Sequence, residues 1–278
     1  MTSYAVLGAT GSTGSSLVKV LQQRQDVSVN TLVRSKAKLY RTIPGIEKDS
    51  KFEVYEGSIT DIDVLTDCIR DTRSVFLAVA ENSRLNAFQA LRHSLTRPPV
   101  ALANKPGCTI AQDTAKSVLA ALERLRQEKP GCDLPLLIVL SSSSISEKLS
   151  RDLPKLLHSF LMKGASYIYD DLRKAETLLR AQENWGVKTV FIKPGGLVHD
   201  AQKGHELSTE RQQTFLGFLD LAAGMVEVAD AKKGTWDMQD VSVIPTAKDV
   251  KVEWRVPLFL LQGMLCHYFP WVYPYIFG

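Results

Sequence analysis

Tyr-Ala-Val-Leu-Gly-Ala-Thr-Gly-Ser-Thr-Gly, residues 4 to 14, is the stretch from which the rest of the chain can be read. Ala5, Val6 and Leu7 make a short apolar run that stops at Gly8. Gly8, Gly11 and Gly14 then stand three apart, and Leu17, Val18 and Leu21 follow at helical spacing. The pattern predicts a strand, a tight turn and a helix. Glycine at the turn permits an unusual backbone angle, glycine in its middle lets a pyrophosphate reach the backbone, and glycine at the helix start allows close packing on the strand. Amide groups at that helix end would face phosphates. Gly8, Thr10, Gly11, Ser12, Thr13 and Gly14 are therefore the primary candidates for cofactor binding. An ordinary glycine-rich turn could use the same letters, but three glycines placed directly between a strand and a helix match a dinucleotide-binding loop.

Working outward, Val27 to Val33 reads as a second strand, and Arg34 follows it with Lys36, Lys38 and Arg41 close behind. An acid at this position would hydrogen-bond the ribose of NAD, whereas a base accommodates the extra phosphate of NADP. Arg34 thus points to NADP(H). Phe52 to Glu56 forms a third strand, after which Ser58 and Ile59 are placed beside the adenine. Asp61 is expected to cap the next helix. Ser74 to Val79 makes the fourth strand, whose end, with Ala80, Glu81 and Asn82, is expected to line the cofactor cleft.

Residues 83 to 109 read as a long excursion, and 110 to 127 as a helix ended by Pro130-Gly131. Leu134 to Leu140 is a nearly unbroken apolar run of the kind a parallel strand covered on both faces requires, and it leads into Ser141 to Ser144. A helix over 169 to 182, a sixth strand over 187 to 192, the run Lys193-Pro194-Gly195-Gly196, a helix near 215 to 228 and a strand near 241 to 243 complete the body. This alternation predicts an α/β fold: a Rossmann-like, doubly wound parallel sheet with right-handed crossovers. All 278 residues are read as one domain, with 197 to 278 contributing a small substrate-binding lobe and an apolar tail.

A net charge of +4, spread along the chain, argues against nucleic acid as a partner. Four distant cysteines show no metal-ligand spacing and are expected to be free thiols of a reducing compartment. The first strand starts almost at Met1, leaving no space for a secretory leader, so the expectation is a cytoplasmic protein. Val256 to Gly278 is strongly apolar and aromatic, but Pro257, Pro270 and Pro274 would interrupt a spanning helix. The tail is expected to pack on the body, close a cavity, join a dimer or touch a membrane surface.

Gly-Ala-Thr-Gly-Ser-Thr-Gly at 8 to 14, Arg34, the serines at 141 to 144 and Lys-Pro-Gly-Gly-Leu at 193 to 197 resemble the atypical short-chain dehydrogenase/reductases of the NmrA-like, NAD(P)H-binding group. Tyr-Asp-Asp-Leu-Arg-Lys-Ala-Glu at 169 to 176, with the apolar tail, is similar to fungal oxidoreductases of the averufin oxidase A type, which serve aromatic polyketide biosynthesis. The resemblance implies a Rossmann core, NADPH and a bulky aromatic substrate.

Ordinary members of that superfamily polarise a carbonyl with a serine and a Tyr-x-x-x-Lys pair. Here Ser143 takes the serine position, but the fourth residue after Tyr169 is Arg173, and Lys174 comes one later. Arginine can stabilise a phenolate yet cannot exchange protons. Ser143, Tyr169, Arg173 and His199 are the catalytic candidates, with Tyr167 as an alternate donor, and Pro194 and Gly195 are assigned to the cofactor pocket; no metal is expected. Each candidate also has a plainer role: the serines can satisfy turn backbone, Tyr169 can line a cavity, and His199 can be a surface residue. The leading expectation is an NADPH-dependent oxidoreductase acting on a carbonyl or enone of an aromatic polyketide-type metabolite. An NADP(H) sensor without turnover and a non-redox isomerase or cyclase stand as alternatives, because the fold alone does not determine the reaction.

Overall fold

The computed structural model describes residues 1 to 79 and 104 to 277. In the described residues an eight-stranded sheet runs in the order β3-β2-β1-β4-β5-β6-β10-β8. Its members are β1 (Thr2–Leu7), β2 (Val27–Val33), β3 (Phe52–Glu56), β4 (Ser74–Leu77), β5 (Leu136–Leu140), β6 (Thr189–Ile192), β8 (His205–Ser208) and β10 (Asp240–Pro245). All neighbours pair in parallel except β8, which lies antiparallel on β10. A separate two-stranded pair joins β7 (Leu197–Val198) to β9 (Leu216–Gly217). The expected doubly wound sheet is present, and its order reverses between β1 and β4, the place where such sheets bind ligands beyond the strands' carboxyl ends.

Alternation along the strands feeds two cores. Tyr4, Val6, Phe76, Ile138, Val190 and Ile192 face one side, where α1 (Ser12–Gln22), α2 (Lys36–Thr42) and α8 (Phe218–Asp230) cover them. Ala5, Leu7, Val75, Leu77, Leu137 and Phe191 face the other, beneath α3 (Ile62–Ile69), α4 (Ile110–Glu128) and α7 (Ser166–Arg180). Because both faces are covered, β5 is apolar throughout and its neighbours β4 and β6 are apolar but for their first residues, as the run at β5 predicts. None of the four cysteines is joined in a disulfide.

Between β5 and α7 come the short α5 (Glu147–Ser150) and α6 (Lys155–Gly164), an insertion not anticipated from the sequence. The apolar tail folds as α9 (Val256–Tyr268), a 3-10 turn over Pro270–Val272 and α10 (Tyr273–Phe277). Pro257 sits in the first turn of α9 and Pro270 follows its end, so the prolines delimit this helix. No helix among the described residues is long and apolar enough to cross a membrane.

Candidate cofactor and substrate site

The turn after β1 is built so that glycine is compulsory at two positions and optional at a third. Gly8 has a φ of 88°, and a Cβ placed there would stand 2.7 Å from the Ala78 carbonyl oxygen at the end of β4. A Cβ on Gly14 would stand 2.2 Å from the Gly8 oxygen, so that glycine lets α1 lie against the turn. Gly11 differs. Its backbone is extended, at φ −80° and ψ 170°, and a Cβ would meet nothing closer than the Gly8 oxygen at 3.4 Å. The fold does not demand glycine at position 11. A ligand that must approach the backbone there does.

Gly11 is also the N-cap of α1, where no side chain caps the helix and no acid stands in the first turn. The amide end of the helix is left with its positive field facing outward, suited to a pyrophosphate. Thr10, Ser12 and Thr13 surround it, Ser12 being exposed and Thr13 buried. These residues fit the phosphates of a nicotinamide dinucleotide.

At the adenosine side, Arg34 is exposed directly beyond β2. Ser35 caps α2 by accepting from the Lys38 amide, and Glu56 accepts from the Lys36 amide at 3.0 Å. The nearby acid is thus occupied at a helix N-terminus while the guanidinium projects into solvent. Ser58 Oγ lies 2.9 Å from Thr60 Oγ1 and accepts from the Thr60 amide, bracing the loop after β3, and Ile59 packs at the edge of the second core. Asp61 caps α3 by accepting from the Val64 amide, as expected. Ala80, Glu81 and Asn82 lie outside the described residues.

The carboxyl ends of β5 and β6 and the start of β10 carry a largely buried charge cluster whose roles were not assigned from the sequence. Lys193 Nζ lies 2.9 Å from Glu176 Oε2 and 3.0 Å from Asp240 Oδ2. Ser141 donates to the other oxygen of Glu176, Ser146 donates to Asp240 at 2.9 Å, and Arg180 pairs with Asp240 while its guanidinium lies over the Phe191 ring. Every carboxylate oxygen of the cluster has a partner, which is what makes such burial tolerable. Above it, the Ser143 amide donates to the Pro194 carbonyl at 3.0 Å, locking the two loops together. Ser143 and Pro194 are both buried. Gly195 and Gly196 carry no Cβ because residues 212 to 215 press on them: one at Gly195 would stand 2.3 Å from Thr214 Oγ1.

Helical geometry then locates Tyr169. Residues seven apart lie on nearly the same line of an α-helix, so Tyr169 is about two turns, ~10 Å, from Glu176 along one edge of α7. A crossover helix runs antiparallel to its strands, so its earlier residues lie further beyond the sheet's carboxyl edge. Tyr169 is half-buried there, outside the charge cluster. Arg173 is exposed, and Lys174 is turned to solvent, where it pairs with Asp170 at 2.6 Å. Asp171 points the other way. It is buried and accepts from the Ala111 and Gln112 amides at 2.8 and 3.1 Å, capping the start of α4.

His199 is exposed and stacks on Phe218 at 4.6 Å between ring centroids. It borders a cleft of about 290 Å³ with Ser16 and Lys19 of α1 and with Lys251. That cleft faces the side of α1 covered by α8, away from α7 and Tyr169. Asp200 beside it accepts from the Lys251 and Ala201 amides and pairs with Lys203, which lowers its carboxyl to about 2.

A family model described as NAD(P)H-binding matches residues 8–232, a stretch that opens on the glycine turn. The chain belongs to that NAD(P)H-binding family. Among its relatives are Oxidoreductase aflX of Aspergillus parasiticus, 45% identical over 99% of this chain and 95% of that protein, and Oxidoreductase ordB of Dothistroma septosporum, 43% identical over 99% and 95%. Oxidoreductase stcQ of Emericella nidulans is 41% identical over 99% of this chain and 94% of its own length. A short-chain dehydrogenase/reductase from Veillonella parvula, solved in complex with NADP, superposes with a TM-score of 0.63 at 16% identity, covering 90% of this chain and 97% of that one. That likeness concerns the fold. The family's members of known name and the chain's own glycine turn agree with the sequence reading of an NAD(P)H-binding oxidoreductase.

Proposed function

We propose that the protein is an NADPH-dependent oxidoreductase that reduces a carbonyl or enone carbon of an aromatic polyketide-type metabolite. The observation that carries the reading is Gly11, a glycine the fold does not need at the mouth of an uncapped helix, with the exposed Arg34 at the end of β2. The amides at the start of α1 hold the pyrophosphate, and Arg34 meets the ribose phosphate that distinguishes NADPH from NADH. The chemistry supplied when the cofactor is bound is hydride delivery to an electrophilic carbon. Orientation and the proton are the chain's contribution.

In this reading the Tyr169 hydroxyl gives its proton to the carbonyl oxygen as that carbon is reduced, and Ser143 with Pro194 forms the floor of the nicotinamide end. Arg173, one turn along α7, supplies positive charge that favours the phenolate left behind. The aromatic substrate class rests on the resemblance and on fungal oxidoreductases being the relatives.

One observation favours a second reading. Lys174, the only lysine of α7, is engaged with Asp170 in solvent, so the usual Tyr-x-x-x-Lys proton relay is not assembled. A protein that binds NADP(H) without turnover, or that isomerises or cyclises its substrate, is compatible with that.

Purified protein with NADPH and a panel of hydroxyanthraquinones and related quinones separates the readings, with absorbance of the reduced cofactor and product formation followed together. Substrate-dependent NADPH oxidation is expected. Tight NADPH binding with no oxidation across the panel supports the sensor, and product without cofactor consumption supports the isomerase or cyclase. Tyr169→Phe is expected to lower kcat by about 10²-fold or more with little change in KM, the range for losing a general acid. An unchanged kcat removes Tyr169 from the chemistry.

A further inference from the structure

From Val256 to the end of the chain there is no Asp, Glu, Lys or Arg, and α6 carries two lysines and no acid. These two segments meet. A Cβ on Gly263 would stand 1.8 Å from the Gly164 carbonyl oxygen, so α9 and α6 cross in backbone contact. Only Gly263 and Cys266 of α9 are buried, although the helix is apolar on all sides. A helix of that composition ordinarily sits inside a core or a lipid phase.

The pair is tied to the body by polar bonds, which gives it a fixed orientation. His267 Nδ1 lies 2.9 Å from Ser166 Oγ at the start of α7, His158 Nε2 lies 2.9 Å from the Ser144 carbonyl oxygen, and Asn104 donates to the Gly164 carbonyl. The side turned outward is apolar. Leu156 is 72% exposed and Phe160 follows it one turn later on α6, while Leu258, Leu261 and Leu265 form a stripe on α9, Leu261 at 60%. At the ends of α9 stand exposed amphipathic rings: Trp254 at 84%, Tyr268, Trp271 at 69% and Tyr275 at 81%. Lys163 lies over the Tyr268 ring at 5.4 Å, and Lys155 is exposed at the start of α6.

We propose that this face docks on an anionic phospholipid surface. The leucines would enter the acyl boundary, the tryptophans and tyrosines would lie at headgroup depth, and Lys155 and Lys163 would meet lipid phosphates. Charge selects this occupant over a second copy of the chain. A two-fold interface would set each patch against itself, bringing its lysines together with no acid on either helix to receive them. An anionic bilayer supplies those counter-charges along with an apolar phase. The inference holds whichever reaction the protein performs.

Sedimentation of the full-length protein with vesicles tests it, using phosphatidylcholine alone and phosphatidylcholine containing phosphatidylserine, at low and high salt. The expected result is retention on the phosphatidylserine vesicles, weakened by salt, with a blue shift of tryptophan emission. Replacing Lys155 and Lys163 by Gln is expected to weaken retention about fivefold for each charge removed. Leu156→Glu with Leu261→Glu is expected to weaken it tenfold or more. Wild-type protein that stays in the supernatant with both vesicles overturns the proposal, with no recourse to variants. So does retention that all these substitutions leave unchanged, or a solution dimer dissociated by Leu261→Glu in a protein that ignores lipid.

Discussion

Lys193 donates to Glu176 across 2.9 Å inside the protein, with the lysine side chain 3% exposed. The pair joins the strand that ends in the Pro194 loop to the helix that carries Tyr169, so it sets the spacing between that loop and Tyr169. Removing Lys193 strips both Glu176 and Asp240 of their buried cation, and removing Glu176 leaves the lysine with Asp240 alone; undercompensated buried charge of this kind costs up to about 3 to 5 kcal/mol. Lys193→Met and Glu176→Leu are each expected to lose stability of that order in urea denaturation. The double variant should fall short of the sum by about 1 to 3 kcal/mol, because contacting charges couple. Additive losses would mean the pair is not a unit.

Gly11 and Gly14 can be told apart by stability. Gly14→Ala drives a Cβ to 2.2 Å from the Gly8 oxygen and is expected to destabilise by about 1 to 3 kcal/mol, the scale of a forced overlap. Gly11→Ala meets nothing closer than 3.4 Å and should leave the melting temperature close to wild type while weakening both NADPH and NADH in calorimetry. If Gly11→Ala binds both cofactors as wild type does, the pyrophosphate is not at this turn.

Arg34→Ala is expected to weaken NADPH at least tenfold, a charged hydrogen bond contributing about 1.5 to 3 kcal/mol, and to leave NADH nearly unaffected. Titration of both cofactors against wild type and variant reads the ratio. Equal losses would remove Arg34 from the ribose phosphate.

Asp200 binds the Lys251 and Ala201 amides, and these bonds hold its carboxyl near 2 in the folded protein, below its ordinary value of about 3.9. A lowered carboxylate contributes stability that is complete above the unfolded value and disappears as pH falls through the folded one. The gap in unfolding stability between wild type and Asp200→Asn should therefore be constant above about pH 4 and narrow between about pH 4 and 2. A gap independent of pH throughout that window would show that the amide bonds do not depend on the charge.

Much of this molecule was legible before its structure, for reasons that are local. Gly8 and Gly14 announce a strand-turn-helix because residues bearing a Cβ cannot make that turn, and the apolar run ending at Leu140 announces a strand covered on both faces. The capping role of Asp61 follows from its position one residue before a helix. Asp171 shows what could have been found: with Ala175 and Leu179 it forms an i, i+4, i+8 line in which an acid stands among apolar residues, a sign of a buried carboxylate with a specific partner. Its partners, the amides of Ala111 and Gln112, lie some sixty positions away and have no local mark.

Spacing and composition by themselves determined the α/β alternation, the nucleotide turn and the basic end of the second strand, since each depends on the conformational limits of a few consecutive residues. Only the tertiary structure decided that Lys193, Glu176, Asp240 and Ser141 converge, that Lys174 points to solvent while Tyr169 is half-buried, and that α9 lies against α6 with its leucines outward. Those outcomes depend on which distant surfaces meet when helices cover a sheet, and burial of apolar area, having no direction of its own, leaves no pattern in the sequence that names the partner.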